Sequence, residues 1–505
     1  MTDAIAALTH LSDDAHKKLY AKAYFRAASA SYRLKIYEKA VLFLRNQLEL
    51  CPDDSDAVLL LGHTQDLLRE QREVCYNIAK TQGSLSHEPR VDAADYIMNT
   101  TIRPSGIKRG RGLFATCNLN PGDLIMAETS FCCVWRREDA NLLALECNAS
   151  SPDEVLPSFV GLWRAAVNEA GRNPLEGSDL MRLQGNYKGS TGTQIDGVDG
   201  TAVVDAFKVH DIVTCNSFTL SSINPTNADS HGSLAEGSSA LWIRLSYANH
   251  SCIPNARKIS YGDLALVHAT RPIAEGEEIV FNYLGDCKDF EVATKVMTSQ
   301  RGFYCECLLC KADIQCPPAD PIARNRLYKE TLIQSAANSP REEGSLSMLP
   351  RCERYVEEIN STYSNNLYVD LPRVRLLHAQ AWLLGAYITA RDRPRSCQAT
   401  IHMLQTLGFE VDTNGETITK ISATANSIFS EVAMVLLHPI VGQAVEAQCY
   451  RHATVARHLL GFVKLLERVN HGTNFQVLQA YKHHMSDLLG SSAAVVEKGI
   501  VELGL

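Results

Sequence analysis

The sequence predicts an α+β protein, a β-rich middle flanked on both sides by helical regions. Three observations carry that prediction. Apolar and small residues recur at helical spacing from Asp13 to Gln71, strand-like runs separated by turn signals begin near Ala93, and helical periodicity returns beyond Cys316. The implied boundaries are a helical region over 1–92, a β-rich domain over 93–290 with an insert at about 136–210, a cysteine-bearing segment over 291–316, and a helical domain over 317–505.

At the N-terminal end the repeating positions are Leu19, Ala23, Ala27 and Ala30, then Ala40, Leu44 and Leu48. They fit a tetratricopeptide-type hairpin of roughly 34 residues, in which small residues let two antiparallel helices approach closely. Tyr24, Ala27 and Ala28 stand near the signature positions, Pro52 closes the unit, and Leu61-Gly62 follows one repeat later. One repeat is complete and a second partial; an ordinary amphipathic helix pair is the plainer alternative.

In the middle, Asn120-Pro121-Gly122-Asp123 is a turn before the strand-like run Leu124–Val134. The insert is irregular, with helical segments near Leu142–Cys147 and Ser158–Glu169 and a Gly/Thr/Asp-rich loop over Asn186–Asp199. Strand character returns at Ile259–Val267, around a Tyr261-Gly262-Asp263 turn, and at Glu278–Tyr283. Beyond Cys316 the helical candidates are Leu371–Ala390, Ala423–Leu437, Ala444–Leu466 and Phe475–Leu489, an all-α array.

Bulk properties exclude more than they assign. A formal charge of −8 argues against direct nucleic-acid binding, because phosphate contact needs a basic field. No apolar stretch nears the roughly 20 residues that span a bilayer, and the first residues lack the pattern of a secretory signal. The expected address is nuclear or cytoplasmic. In such a reducing compartment the 16 cysteines should be free thiols, apart from any metal-bound cluster.

Four short motifs carry chemistry. In Arg109-Gly110-Arg111-Gly112, two glycines let backbone pass close to a ligand, and the arginines suit a carboxylate. By itself this reads as a hairpin turn. Asn249-His250-Ser251-Cys252-Ile253-Pro254-Asn255 packs hydrogen-bonding side chains more densely than a solvated loop requires. Gly276-Glu277-Glu278-Ile279-Val280-Phe281-Asn282-Tyr283 is a turn leading into a strand that ends on a tyrosine. Cys305-Glu306-Cys307-Leu308-Leu309-Cys310 places three thiolates within reach of one Zn²⁺; a closed structural site takes four, and spacing alone makes Cys316 a candidate.

The order of these motifs resembles the SET-domain protein-lysine methyltransferases with a post-SET zinc cluster, and among them the SET and MYND branch; Asn216-Ser217-Phe218 is similar to that branch too. The resemblance covers roughly residues 96–312. It implies a SET fold, S-adenosyl-L-methionine as methyl donor, structural Zn²⁺, and a lysine side chain of a protein substrate as acceptor. It implies cofactor contacts from Arg109, Gly110, Arg111, Gly112, Asn249, His250 and Tyr283, with Phe303 over the adenine. Tyr283 becomes the catalytic residue at the methyl-transfer point, and Phe218 and Phe281 the wall of the lysine channel. Cys252 becomes the fourth zinc ligand with Cys305, Cys307 and Cys310.

One departure matters. Residues 129–214 hold only Cys132, Cys133, Cys147 and His210 as metal-type ligands, too few for the MYND module of that branch. The helical ends are left as the expected surfaces for protein partners. The competing reading is a SET-fold scaffold that recruits partners through those ends without catalysing.

Overall fold

A computed structural model describes residues 6, 17–74, 76, 81, 90–106, 110–135, 146–147, 155–156, 160–187, 204–220, 238–283, 294, 297–298, 303–340, 343–363, 366–415, 417–429, 465 and 468. Arg109, about half of the insert, nearly all of the helix expected over Ala444–Leu466 and the helix expected over Phe475–Leu489 lie outside this set. The chain divides into two compact units, one of residues 1–98, 126–130 and 260–265, the other of 99–125, 131–259 and 266–505.

The first unit is built on three consecutive helices, α1 (Lys17–Arg33), α2 (Tyr37–Leu50) and α3 (Ser55–Glu73). The small residues singled out in the sequence are what they bury: Ala27, Ala28, Ala40, Leu44 and Ala57 are fully shielded. A small face-to-face residue pair lets neighbouring helices close up, so that Leu44 fills the remaining space without strain. Asp54 caps α3, its Oδ1 accepting the Ala57 N–H at 3.2 Å, which satisfies one of the helix's orphan donors. Lys35 pairs with Asp95 at 2.6 Å.

The second unit carries the β-rich middle, apart from residues 126–130 and 260–265, which belong to the first. Strands β1 (Thr100–Pro104) and β2 (Arg111–Ala115) form an antiparallel hairpin, Thr100 opposite Ala115 and Pro104 opposite Arg111. The expected strand Leu124–Val134 is broken at Ser130-Phe131 into β3 (Leu124–Thr129) and β4 (Cys132–Val134). Helix α4 (Val160–Arg172) appears close to where the sequence placed it. Of the helical segment expected near Leu142–Cys147, the two described residues, Glu146–Cys147 (β5), are instead a strand that pairs antiparallel with Val155–Leu156 (β6). Helices α5 (Pro174–Leu180) and α6 (Ala206–Asn216) follow, then β7 (Phe218–Thr219) and β8 (Ser239–Leu241), which join β4 in the order β4-β8-β7. β9 (Asn249–His250), β10 (Ala256–Tyr261), β11 (Leu264–Ala269) and β12 (Glu278–Phe281) complete the strands of this part.

The C-terminal part is helical, with α7 (Leu308–Gln315), α8 (Ala319–Ala337), α9 (Leu349–Ser361), α10 (Leu377–Thr389) and α11 (Arg393–Thr406). Its core gathers Trp382, Leu383, Met403, Leu404 and Leu407. It departs from the all-α expectation in one place. β13 (Phe409–Asn414) and β14 (Thr417–Ala423) form an antiparallel hairpin that buries Phe409 and Ile418, and the chain from Thr424 to Phe429 is not helical, so the helix expected from Ala423 fails over its described part. The hairpin is locally encoded: Asn414-Gly415 supplies the turn, with Gly415 at φ +64°, between runs rich in β-branched residues.

Candidate active site and metal centre

β12 organises the site. One edge is antiparallel to β2, Glu278 opposite Phe114 and Ile279 opposite Leu113; the other is parallel to β9, Val280 opposite Asn249 and Phe281 opposite His250. The resulting sheet order is β1-β2-β12-β9. A parallel pair cannot be closed by a tight turn. The chain between β9 and β12 is therefore a long excursion, and Asn255 within it ties the strands together. Asn255 is wholly buried; its Nδ2 donates to the Glu278 carbonyl (2.8 Å) and Glu277 Oε1 (3.2 Å), and its Oδ1 accepts the Val280 N–H (2.9 Å). Burial opposes the Glu277 charge, yet hydrogen bonds from Arg271 and the Ala274 N–H win and hold its carboxyl below the ordinary range.

Glu278 links the glycine motif to the asparagine motif. Its Oε1 accepts from Asn249 Nδ2 at 2.6 Å and from Ser105 Oγ at 2.6 Å. A Cβ on Gly112 would lie 2.4 Å from that same oxygen and 2.9 Å from Ser105 Cβ. The glycine is thus needed for the carboxylate to reach Asn249. Gly110, at φ +70°, accepts the Ser105 N–H at 2.9 Å and closes the turn. Arg111 lies over the Tyr247 ring (5.0 Å) and donates to the Arg182 carbonyl, and its own carbonyl accepts from Asn249 Nδ2 at 3.3 Å.

Tyr283 is held at two points. Its hydroxyl donates to the Ala248 carbonyl at 2.5 Å, and its backbone N–H donates to His250 Nδ1 at 3.1 Å. A ring nitrogen that accepts leaves the ring proton on the other, so Nε2 is the donor, and it lies 3.4 Å from Cys252 Sγ. The buried His250 ring stands 5.3 Å from the Tyr283 ring and 6.4 Å from that of Phe303.

The sulfur atoms of Cys252, Cys305, Cys307 and Cys310 all lie within 4.8 Å of one another, with Cys252 3.9 Å from Cys305 and 3.6 Å from Cys310. Tetrahedral zinc with Zn–S bonds of about 2.3 Å requires sulfur separations of about 3.8 Å. The residues fit Zn²⁺. Hydrogen bonds from Cys252 pull the thiols of Cys305 and Cys307 below the ordinary cysteine range, Cys307 to about 6, so two of the four are poised as thiolates. Cys316 is excluded as fourth ligand: it is buried elsewhere, its thiol donating to the Asp313 carbonyl at 3.2 Å.

Residues 110–284 match a protein family described as the SET domain. This segment is a SET domain. The chain is also similar to curated methyltransferases of the SET and MYND kind. It is 30% identical to human histone-lysine N-methyltransferase SMYD3 over 164 residues, which is 32% of this chain and 36% of that one. It is 24% identical over 192 residues to human N-lysine methyltransferase SMYD2, 36% of this chain and 41% of that protein. A Gibberella zeae protein named methyltransferase is 24% identical over 306 residues, 57% of this chain and 41% of its own length. The chain thus spans about two fifths of the length of these three relatives.

Of the residues expected at the site, Asn249 is hydrogen-bonded to the Glu278 carboxylate, which lies against Gly112, and to the Arg111 carbonyl; Tyr283 is hydrogen-bonded to His250 and to the Ala248 carbonyl, and Phe303 stands beside His250. Phe281 is buried on β12 in register with His250. Phe218 lies apart from that sheet, on β7, its ring 5.8 Å from that of Trp242. Glu278 and Asn255 escaped the sequence reading, although both sit inside quoted motifs. The signal for each was present: a carboxylate opening a strand, and a second asparagine closing a polar run.

Proposed function

We propose that the chain is an S-adenosyl-L-methionine-dependent protein-lysine N-methyltransferase acting on a histone or another protein. The observation that supports this most is the Tyr283 hydroxyl, fixed by the Ala248 carbonyl beside the aromatic group of His250 and Phe303, within a matched SET domain. S-adenosyl-L-methionine would supply a methyl group activated on a sulfonium.

The fit rests on the donor set. Ring faces and carbonyl oxygens suit a flat heteroaromatic base and a cationic centre. Exposed Arg111 and the Gly110–Gly112 backbone suit a carboxylate. Asn249 has its amide nitrogen occupied by Glu278 and Arg111, so its carbonyl oxygen is the group turned to a ligand. Tyr283 orients the acceptor amine through its hydroxyl. A lysine amine, ordinarily protonated below a pKa of about 10.4, must shed its proton before transfer, and desolvation against the buried Phe281 ring favours the neutral form. The chain contributes position and fixed dipoles, with no covalent enzyme intermediate.

The test is calorimetric binding of S-adenosyl-L-methionine to the zinc-loaded protein and to Asn249→Ala, with methyl transfer to a mixed protein substrate measured for wild type and Tyr283→Phe. Binding lost in Asn249→Ala and transfer lost in Tyr283→Phe support the proposal. A folded, zinc-loaded wild type that does not bind leaves the scaffold reading.

A further inference from the structure

Lys258, on β10, is placed unusually for a lysine. Its Nζ lies 5.1 Å from the centroid of the Trp242 ring and 5.4 Å from that of Phe218. The two rings meet edge to face at 68°, forming a corner around the amine, and Trp242 is wholly buried. Among the described residues the amine has no carboxylate and no hydrogen-bond acceptor. The side chain is half-buried, so the amine lies against two ring faces and keeps some contact with solvent. Burial pushes its pKa down to about 8, so a sizeable share is the neutral, nucleophilic amine in mildly alkaline solution.

The same corner suits a methylated ammonium. Each methyl replaces an N–H that has no acceptor among the described residues, while the attraction between cation and ring persists, as in aromatic cages for methylated lysine. Ser246 Oγ reaches both the Trp242 carbonyl (2.6 Å) and the Asn216 carbonyl (3.4 Å), tying the segments that bear Trp242 and Phe218 to the turn before Ala248, whose carbonyl holds the Tyr283 hydroxyl.

We propose that Lys258 is a methyl acceptor of its own chain, modified in the Phe218–Trp242 corner by the SET domain that contains it. The inference rests on the methyltransferase reading above. In the step, the neutral Nζ forms a bond to the methyl carbon as the carbon–sulfur bond of the sulfonium breaks. The sulfur keeps that electron pair and leaves as the neutral thioether, and the methylated ammonium passes its proton to solvent before any further round.

The experiment incubates the full zinc-loaded chain with S-adenosyl-L-methionine carrying a trideuterated methyl, then maps peptides by mass spectrometry. Label at Lys258, at a rate independent of protein concentration and absent in Tyr283→Phe, is the expected result; methyl already present on Lys258 in the purified protein also supports it. Lys258→Arg, with melting temperature compared to wild type, shows that the labelled peptide is correctly assigned. Calorimetry on the same sample separates the two ways of failing. Cofactor bound with Lys258 unmethylated overturns this inference alone, as does labelling whose rate rises with protein concentration. No cofactor binding overturns the methyltransferase reading and the inference together.

Discussion

His250 Nε2 lies 3.4 Å from Cys252 Sγ, while Nδ1 of the same ring accepts the Tyr283 backbone N–H. One imidazole therefore connects the thiolate cluster to the tyrosine at the proposed transfer point. Groups that donate to metal ligands typically tune affinity about 10- to 100-fold. His250→Phe keeps a ring but loses both bonds, and should speed zinc release to a chromogenic chelator by about tenfold or more. His250→Gln restores a donor near the Nε2 position and should recover much of the retention. Equal release rates in all three proteins would show that the contact does not support the metal.

Gly112→Ala probes the cradle around Glu278. The added methyl would meet Glu278 Oε1 and Ser105 Cβ well inside van der Waals contact. The carboxylate must move, and Asn249 loses its 2.6 Å partner. The variant should lose about 1–3 kcal/mol of stability by overpacking. S-adenosyl-L-methionine affinity should fall about tenfold, or about 1.4 kcal/mol, in a calorimetric titration.

Cys307→Ser should abolish stoichiometric zinc, whereas Cys316→Ser should retain it, because only the former belongs to the four-sulfur group. Elemental analysis of both proteins decides the point. Chelation of the wild type should also loosen the segment at Phe303, seen as faster amide exchange.

Lys258 gives a pH dependence. Its folded pKa is lowered by burial to about 8 from an ordinary 10.5. Between these values the unfolded chain keeps a proton that the folded chain has released, so this residue's contribution makes stability rise from about pH 8 toward about pH 10.5. Below pH 8 the folded state bears the full cost of the charge. Lys258→Met should remove that rise and stabilise the protein at pH 7 by about 1–3 kcal/mol, read from denaturant titrations at several pH values.

In the C-terminal part, Arg324 is buried with its guanidinium 2.6 Å from Asp313, 2.7 Å from the Thr362 carbonyl and 3.8 Å from the centroid of the Tyr363 ring. Removing one member of a buried pair strands the other charge. Arg324→Met should cost about 3–5 kcal/mol, and adding Asp313→Asn should return part of it.

The legible parts of this protein are those written in local pattern. Ala27, Ala28, Ala40 and Leu44 announced a helix pair because small residues at helical spacing have one use in packing. The Tyr261-Gly262-Asp263 turn and its flanking strands were readable for a similar reason. The hairpin at Asn414-Gly415 was equally local, but the helical texture of the surrounding region masked it. Glu146–Cys147 shows the opposite case, a helix-compatible run held as a strand by its pairing with Val155–Leu156.

The sequence by itself determined the chemistry on offer: a glycine turn, a polar run, a tyrosine at a strand end and three clustered thiols, in an order that resembles one family. It could not choose between Cys252 and Cys316 from spacing, nor show that Glu278 joins Gly112 to Asn249, nor that Lys258 faces two rings without an anion. Those depend on β9 lying parallel to β12 and on contacts between residues far apart in the chain. Parallel pairing and long-range side-chain contact leave no local periodicity, so only the tertiary structure decided them.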